Sequence, residues 1–547
     1  LLASYLGRPM SETRRSFIGN AWAIPAIIAI IHAFAAILAF HQMPFTGGDD
    51  ATYISLAKSL LERHDYTDIW DPGLPPHTQY PPLFPLIVSG GLALGLTPPV
   101  GLKVLMIVIT TLAIFASCVW LMRTTTPGVV VCTGLFIAVS PEILRLGQEV
   151  LSDPTFWLFS VLALIAWASA DKKALADKDR GPMPVGLVVA AAAATLAAYF
   201  TRSAGAPLLI AVFIWLAIRR QYRAMVIMGA MAAPPIFLWW LHGHAHGAGG
   251  YLAPFLSVDP YNPSLGKVTL LELVKRVGEN ASKYGSLHLS KMVFGTPRTG
   301  LVFGGTFALA MIYGWWKRAR KPGLSEIWLP LYLALVMLWP VAWSGARFLF
   351  PVVPVIALYV GESVAAVARA ASHPRIFAGA LLLAGIITVG PDLRRQIKTG
   401  SVCRERYAAG DRFACLDTGF KDFFTVSEKT RGMLPANAVV ISRKPTIFFL
   451  HSGYRSVVYP FFAVPDSLFN LASRTGAKYL VIDEIGDVSP RFLQPILLAR
   501  RDDFCIIREL SAPAAAMARI EIGGPRRPDA APNSFRTCPV SPPASNP

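Results

Sequence analysis

Charge is scarce in this chain. Only 15% of its 547 residues are Asp, Glu, Lys or Arg, against roughly 25% in ordinary soluble domains. Cysteine is scarcer: there are six, too few for a disulfide-built scaffold. There is no CxxC pair and no metal-finger spacing. Nor is there a P-loop, a heptad array or an internal repeat. What fills the chain instead is apolar: 54% of residues are hydrophobic and mean hydropathy is +0.47. A soluble globule of this length cannot hide that much, so most of the chain belongs in lipid. Lys plus Arg total 51 and Asp plus Glu 33, a formal charge of +18. On a soluble protein that excess would suggest nucleic acid; on a membrane protein it records basic cytoplasmic loops. A soluble enzyme, a nucleic-acid binder and a secreted disulfide protein are set aside on these grounds.

A bilayer-crossing helix needs about 20 mostly apolar residues. Residues 21–40 are the first such run, and they follow Arg8, Arg14 and Arg15, which belong in the cytoplasm. The run is too long, and too poor in a small-residue cleavage site, for a cleaved signal. Met10 opens MSETRRSF and reads as a natural start, with residues 1–9 as an extension. After a polar stretch, PPLFPLIVSGGLALGL is apolar but short and rich in Pro and Gly. Two readings compete for it, a full span or a helix riding the outer surface. With the second, further crossings fall at 100–122, 129–140, 155–170, 184–200, 205–218, 224–241, 301–316, 327–343, 348–367 and 376–390. The basic clusters at Arg123, Lys172/Lys173, Arg219/Arg220/Arg223, Lys317/Arg318 and Arg369/Arg375 then share the side of the N-terminus. The positive-inside rule therefore favours about 11 transmembrane helices plus outer-surface helices.

The expected organisation is a mainly α, polytopic membrane protein with a C-terminal soluble α/β domain. A cytoplasmic N-terminus takes 1–20, the membrane domain 21–395, an extracytoplasmic α/β domain 396–525 and a disordered tail 526–547. Within 396–525, NAVVISRK and KYLVIDE are short β-branched runs flanking the helix-like PDSLFNLASRTG, the alternation of βαβ units.

Chemistry-bearing residues gather on the outer face. FTGGDDATYISLAKSLLERHDY follows the first span, and its adjacent Asp49 and Asp50 open an amphipathic helix. Acids at a helix start also serve as caps and suit the helix dipole. The functional reading is a general base at the membrane surface, where partial desolvation raises a carboxylate pKa. Asp153, directly before Pro154, stands where an outer loop re-enters the membrane; it too has an N-cap reading. Arg347 begins a span at its outer end, above Pro351 and Pro354, and Arg202 lies in another outer turn. Each is an interfacial anchor or a phosphate ligand.

The succession GGDDATY, YPPLFPL, SPEILRLGQEVLSDP and ARFLFPVVP resembles the GT-C superfamily of membrane glycosyltransferases. The likeness is nearest the bacterial branch related to protein O-mannosyltransferases and the lipid A aminoarabinose transferase, and covers roughly residues 15–390. It implies transfer of a sugar from a polyprenyl-phosphate donor to an acceptor on the outer face, the acceptor being a lipid, a glycan or a protein. It also implies a bacterial cytoplasmic membrane, with the site on the periplasmic side. In the family the first acid of the pair is the catalytic carboxylate, which matches Asp49, with Asp50 second; the second-loop acid matches Asp153. Members with aminoarabinose chemistry carry a Lys before the Pro-Pro pair. Here Tyr80 holds that place, with His77 three residues earlier, and these join Arg347 and Arg202 as donor-phosphate candidates. Inversion by single displacement, with Asp49 as base, is the expected mechanism.

HGHAHGAGG brings His242, His244 and His246 close in sequence, which invites a metal reading, while the flanking glycines argue for a loop. No cofactor is otherwise implied. Cys403, Cys415, Cys505 and Cys538 form an even set on the oxidising side; a local 403–415 bridge is one pairing, and connectivity stays open. Asn280 heads an NAS sequon. The rival functions are a transporter or flippase of a lipid-linked sugar and an inactive membrane receptor or assembly protein. A transporter needs ionisable groups near mid-membrane, and those are scarce here.

Overall fold

The computed structural model describes residues 22–176, 181–247, 252–295, 304–371, 374–509, 515–521 and 535–538. The expectations for 1–20 lie outside them. The chain is mainly helical, with one small sheet at its C-terminal end.

Helix α1 (Ala23–Ala39) leads through a short turn to α2 (Asp49–Lys58), continued by a π-helical turn, Ser59–Arg63. The α2 helix is buried on nearly every side rather than amphipathic: Ala51, Tyr53, Ile54, Ser55, Leu56 and Ala57 are all buried. The Pro-rich helix α3 (Leu83–Ala93) has 11 residues, about 16 Å at 1.5 Å per residue. That is about half a bilayer core, so a span of this helix alone falls short. There follow α4 (Val100–Thr124), α5 (Pro127–Ala138), the short α6 (Pro141–Leu146), α7 (Ser152–Leu175), α8 (Val185–Thr201), α9 (Ala206–Ile218) and α10 (Tyr222–Ala245). The polar helix α11 (Leu270–Lys283) precedes α12 (Gly305–Ala319), α13 (Leu324–Leu338), α14 (Val353–Ala370) and the 35-residue α15 (Pro374–Ala408).

Among the described residues, four helical stretches are long and apolar enough to cross a membrane: α4, α7, α10 and Ala346–Ala370. Several others are apolar but shorter, so helix length among the described residues does not confirm the expected eleven crossings. Proline is one reason. Pro340 follows α13, which ends at Leu338 after 15 residues although the apolar sequence runs on to Trp343.

Helix packing here uses small residues, as it must where lipid is as apolar as the protein interior. Helix α8 lies along α7 through the fully buried Ala191, Ala192 and Ala198. Trp157 and Trp167 fill the core, and each indole N–H donates to a hydroxyl, of Ser117 and Thr195 respectively, both at 3.0 Å. Gly314 lets α12 approach α14 so closely that a Cβ there would stand 2.2 Å from the Tyr359 carbonyl oxygen.

The 395/396 boundary falls inside α15, which runs unbroken out of the helical domain. At its end Cys403 pairs with Cys415. The α/β domain then comprises α16 (Thr418–Thr430), β1 (Val439–Ile441), α17 (Pro445–Ser452), β2 (Arg455–Val457), α18 (Pro465–Thr475), β3 (Tyr479–Asp483), β4 (Phe504–Glu509), β5 (Ala515–Ile520) and β6 (Arg536–Thr537). The sheet order is β2-β1-β3-β5-β4-β6. Strand β1 is parallel to both β2 and β3, the βαβ arrangement expected, whereas β5 is antiparallel to β3 and β4. Part of the tail expected to be disordered joins this sheet: β6 pairs with β4, and Cys538 is bonded to Cys505.

Candidate active site at the junction of the two domains

The turn entering α2 sets the site. Gly48 takes φ +93 as its N-cap, a left-handed conformation that suits glycine, and no side chain caps the helix there. Asp49 and Asp50 are therefore not caps. Asp49 accepts a hydrogen bond from the Arg347 guanidinium at 2.6 Å. The Tyr80 hydroxyl lies 3.5 Å from its other carboxylate oxygen. Burial pushes the Asp49 pKa up, but Arg347, helped by Arg202 and Lys444, holds it below the usual carboxylate range. Arg347 comes from the 3-10 stretch before α14, partly buried, so it is more than a surface anchor.

Asp153 is the second residue of α7, after an N-cap at Leu151, so it too is no cap. It is buried and pairs with Arg202 at 3.0 Å. Arg202 also donates to Ser152, whose hydroxyl is 2.9 Å from that of Tyr53. Tyr53 stands one helical turn after Asp49, on the same side of α2. The guanidiniums of Arg202 and Arg347 each sit 5.1 Å from the centre of the Phe348 ring. Two cations thus share one aromatic ring, each neutralised by its own Asp. Four of the sequence candidates (Asp49, Asp153, Arg202 and Arg347) meet here, with Tyr80 beside them.

Three expectations change. Asp50, adjacent in sequence to Asp49, turns to the other side of α2 and lines a separate cavity. His77 does not face the site: its Nδ1 is 2.6 Å from Asp68 and its Nε2 accepts the Tyr80 backbone N–H at 2.9 Å. With both ring nitrogens engaged it holds Tyr80, against whose ring it stacks. The three clustered histidines are mostly helical, not a loop: α10 runs to Ala245. His242 bonds to the His77 carbonyl, His246 to the His242 carbonyl, and His244 stacks on Trp240. Among the described residues no group of three or more His, Cys, Asp or Glu is placed to hold a metal ion. Asn280 of the sequon is buried, donating to the carbonyls of Met337 and Trp339.

One residue escaped the sequence reading. Lys444, at the N-cap of α17, reaches from the α/β domain to donate to the Gly47 carbonyl at 2.9 Å. Burial and Arg443 push its pKa down to about 8, with Asp49 pulling it back up. The available signal was its place just after β1, since α/β sheets present ligands at the carboxyl ends of parallel strands.

No protein-family model matches the chain, and no curated protein matches it. Solved structures do. ArnT from Cupriavidus metallidurans, bound to undecaprenyl phosphate, superposes with a TM-score of 0.53 at 12% identity, over 92% of this chain and 99% of its own. The Archaeoglobus fulgidus oligosaccharyltransferase, tethered to an acceptor peptide, superposes with 0.54 at 12% identity, over 93% of this chain and 75% of its own. The same archaeal protein in complex with an inhibitory peptide and a dolichol-phosphate gives 0.52 at 13% identity. The chain has the GT-C fold. At such identities the likeness is one of architecture, and it embraces both the helical GT-C part and the α/β domain.

Proposed function

We propose that this GT-C protein is a membrane-embedded glycosyltransferase that moves a sugar from a polyprenyl-phosphate donor to an acceptor hydroxyl. The observation that carries the reading is the meeting of two acids and two guanidiniums, Asp49 with Arg347 and Asp153 with Arg202, beside one aromatic ring. Paired arginines on a ring, with Lys444 close by, suit a phosphate; a carboxylate beside them suits a proton acceptor. That two GT-C neighbours were solved with polyprenyl-type phosphates adds support.

The Asp49–Arg347 contact explains how both tasks can share one site. With Arg347 bound, Asp49 is ionised but a weak base. A donor phosphate competes for the guanidinium, and a carboxylate that loses its cation gains proton affinity. Donor binding thus arms the base. The acceptor hydroxyl then gives its proton to Asp49 while its oxygen attacks the anomeric carbon from the side opposite the phosphate. The bond from that carbon to the phosphate oxygen breaks, and the growing charge falls on Arg347, Arg202 and Lys444. The outcome is inversion. Asp153 keeps Arg202 in place.

Both disulfides of the described residues lie in the α/β domain or its entry, while Cys118 and Cys132 of the helical domain are free. That distribution supports an extracytoplasmic α/β domain, since disulfides persist in oxidising compartments. The test is transfer by the purified protein from a polyprenyl-phosphate sugar, with mass spectrometry of lipid-linked sugars and glycoconjugates in a deletion strain. A deletion strain with unchanged glycoconjugates and unchanged lipid-linked sugars would remove the reading.

A further inference from the structure

Helix α2 has the Asp49–Arg347 site on one side and a cavity on another. Asp49 and Tyr53 look towards Arg347 and Arg202; Asp50, Ile54 and Lys58 line a distinct cavity of about 500 Å³ between the helical and α/β domains, within the usual size for a small-molecule site. Its lining includes acceptors that nothing among the described residues satisfies. Asp50 is 9% exposed and Glu149 4%. Asp50 Oδ1, Glu149 Oε2 and Gln42 Oε1 are each buried without a hydrogen-bond partner among the described residues. The other Glu149 oxygen is held by Lys103 at 3.0 Å, so the pair itself is anchored. Orphaned buried acceptors are costly and uncommon. All three residues line the same cavity, so its wall carries acceptors that the protein itself does not satisfy.

The same lining also carries cations and aromatic rings. Lys58 has no ion-pair or hydrogen-bond partner among the described residues. Arg412 and Arg431 line the cavity from the α/β domain, Arg412 pairing with Glu428, and the rings of Phe413 and Phe424 form an apolar wall. A ligand matching this lining has several hydroxyl donors, an apolar ring face and one anionic substituent. We propose that this cavity is a second binding site, separate from the Asp49–Arg347 site, for a sugar carrying a phosphate: hydroxyls donate to Asp50, Glu149 and Gln42, and the phosphate meets Lys58 and Arg431. The site rests on these residues alone and does not depend on the transfer reading.

The test titrates the full chain in lipid nanodiscs with glucose 1-phosphate, glucose and inorganic phosphate, read by saturation-transfer NMR and calorimetry. Wild type should bind glucose 1-phosphate saturably. Asp50→Leu, which removes an orphaned acid and so should leave the fold intact, should weaken glucose and glucose 1-phosphate at least tenfold. Lys58→Glu should weaken glucose 1-phosphate and leave glucose unchanged. Gln42→Leu serves in place of Asp50→Leu if the latter has a lower thermal midpoint. Arg347→Ala distinguishes this cavity from the Asp49–Arg347 site: it should leave glucose 1-phosphate binding within twofold. Binding lost in Arg347→Ala but kept in Asp50→Leu and Lys58→Glu would put the ligand at the Asp49–Arg347 site and overturn the proposal. So would the absence of saturable binding to wild type.

Discussion

Asp49 and Arg347 lie 298 residues apart in sequence and 2.6 Å apart in space. The contact couples the two halves of the proposed chemistry, because whatever takes Arg347 releases Asp49. Asp49→Asn is therefore expected to do two opposite things. Transfer should fall by about 10²–10⁴, the usual worth of a general base. Affinity for a polyprenyl-phosphate donor should hold or rise, because Arg347 no longer has a competing carboxylate. Equilibrium binding and single-turnover transfer on the purified variant check both. A variant that turns over normally would remove Asp49 as base; one that loses donor affinity would remove the competition.

Arg347→Lys distinguishes a phosphate fork from a simple cation. Lysine offers a point charge where guanidinium offers a planar pair of donors. A charge-assisted hydrogen bond is worth about 1.5–3 kcal/mol, so transfer efficiency should drop roughly 10–150-fold. The thermal midpoint should be matched between variants before rates are compared. An Arg347→Lys protein within twofold of wild type would reduce Arg347 to an interfacial anchor.

The acids and arginines of the candidate site could be singled out in the sequence because each stands near the end of an apolar run, where a charge is costly unless used. Their pairing was not. Asp49 meets Arg347, and Asp153 meets Arg202, only through helix packing that no local pattern encodes. The parting of Asp50 from Asp49 follows from the helix itself, since adjacent residues point about 100° apart. It needed the helix start, which Gly48 sets. Lys444 was hidden for a different reason: its role depends on how the α/β domain docks against the Gly47–Gly48 turn. The βαβ pattern around β1 and β3 was readable, whereas β6 was not, because a two-residue strand held by a disulfide carries no hydrophobic period of its own.

Asp50 should leave a signature in stability. Burial, with Glu149 nearby, pushes its pKa up from 3.8 to about 7. Between those values the folded state binds the proton that the unfolded state releases, so this group's contribution to stability falls as pH rises from about 4 to 7. Asp50→Leu removes that dependence. Its thermal midpoint relative to wild type should be higher at pH 8 than at pH 5. An identical difference at both pH values would mean that Asp50 is not held in its protonated form by its surroundings.

Topology gives an independent check. If the chain crosses the membrane an odd number of times from a cytoplasmic N-terminus, the α/β domain lies outside, as we propose. A reporter fused after Glu521 should be active only in its periplasmic format, and Cys403–Cys415 should be oxidised in cells. A cytoplasmic result would put the Asp49–Arg347 site on the inner face and overturn the proposed outer-face donor.

Lys444 supplies the pH test of donor binding. Its pKa is pushed down to about 8 by burial and by Arg443, so its charge is present below that value and lost above it. If the charge holds the donor phosphate, KM for the donor should rise as pH climbs through about 8, with kcat less affected because bound phosphate restores the proton. Unfolding does not mimic this. A lysine whose pKa is lower folded than unfolded contributes increasing stability as pH rises from about 8 towards 10.5, so this group cannot cause an alkaline loss of structure. Lys444→Arg keeps its charge throughout, because guanidinium does not titrate in this range; its alkaline rise in KM should vanish. Lys444→Ala should show the weakened donor binding at every pH, by roughly 10–150-fold if one charge-assisted contact is lost. The measurement is donor KM from pH 6 to 10 for the three proteins. An Arg variant with the wild-type alkaline limb would assign that limb to another group and return Lys444 to a structural contact with Gly47.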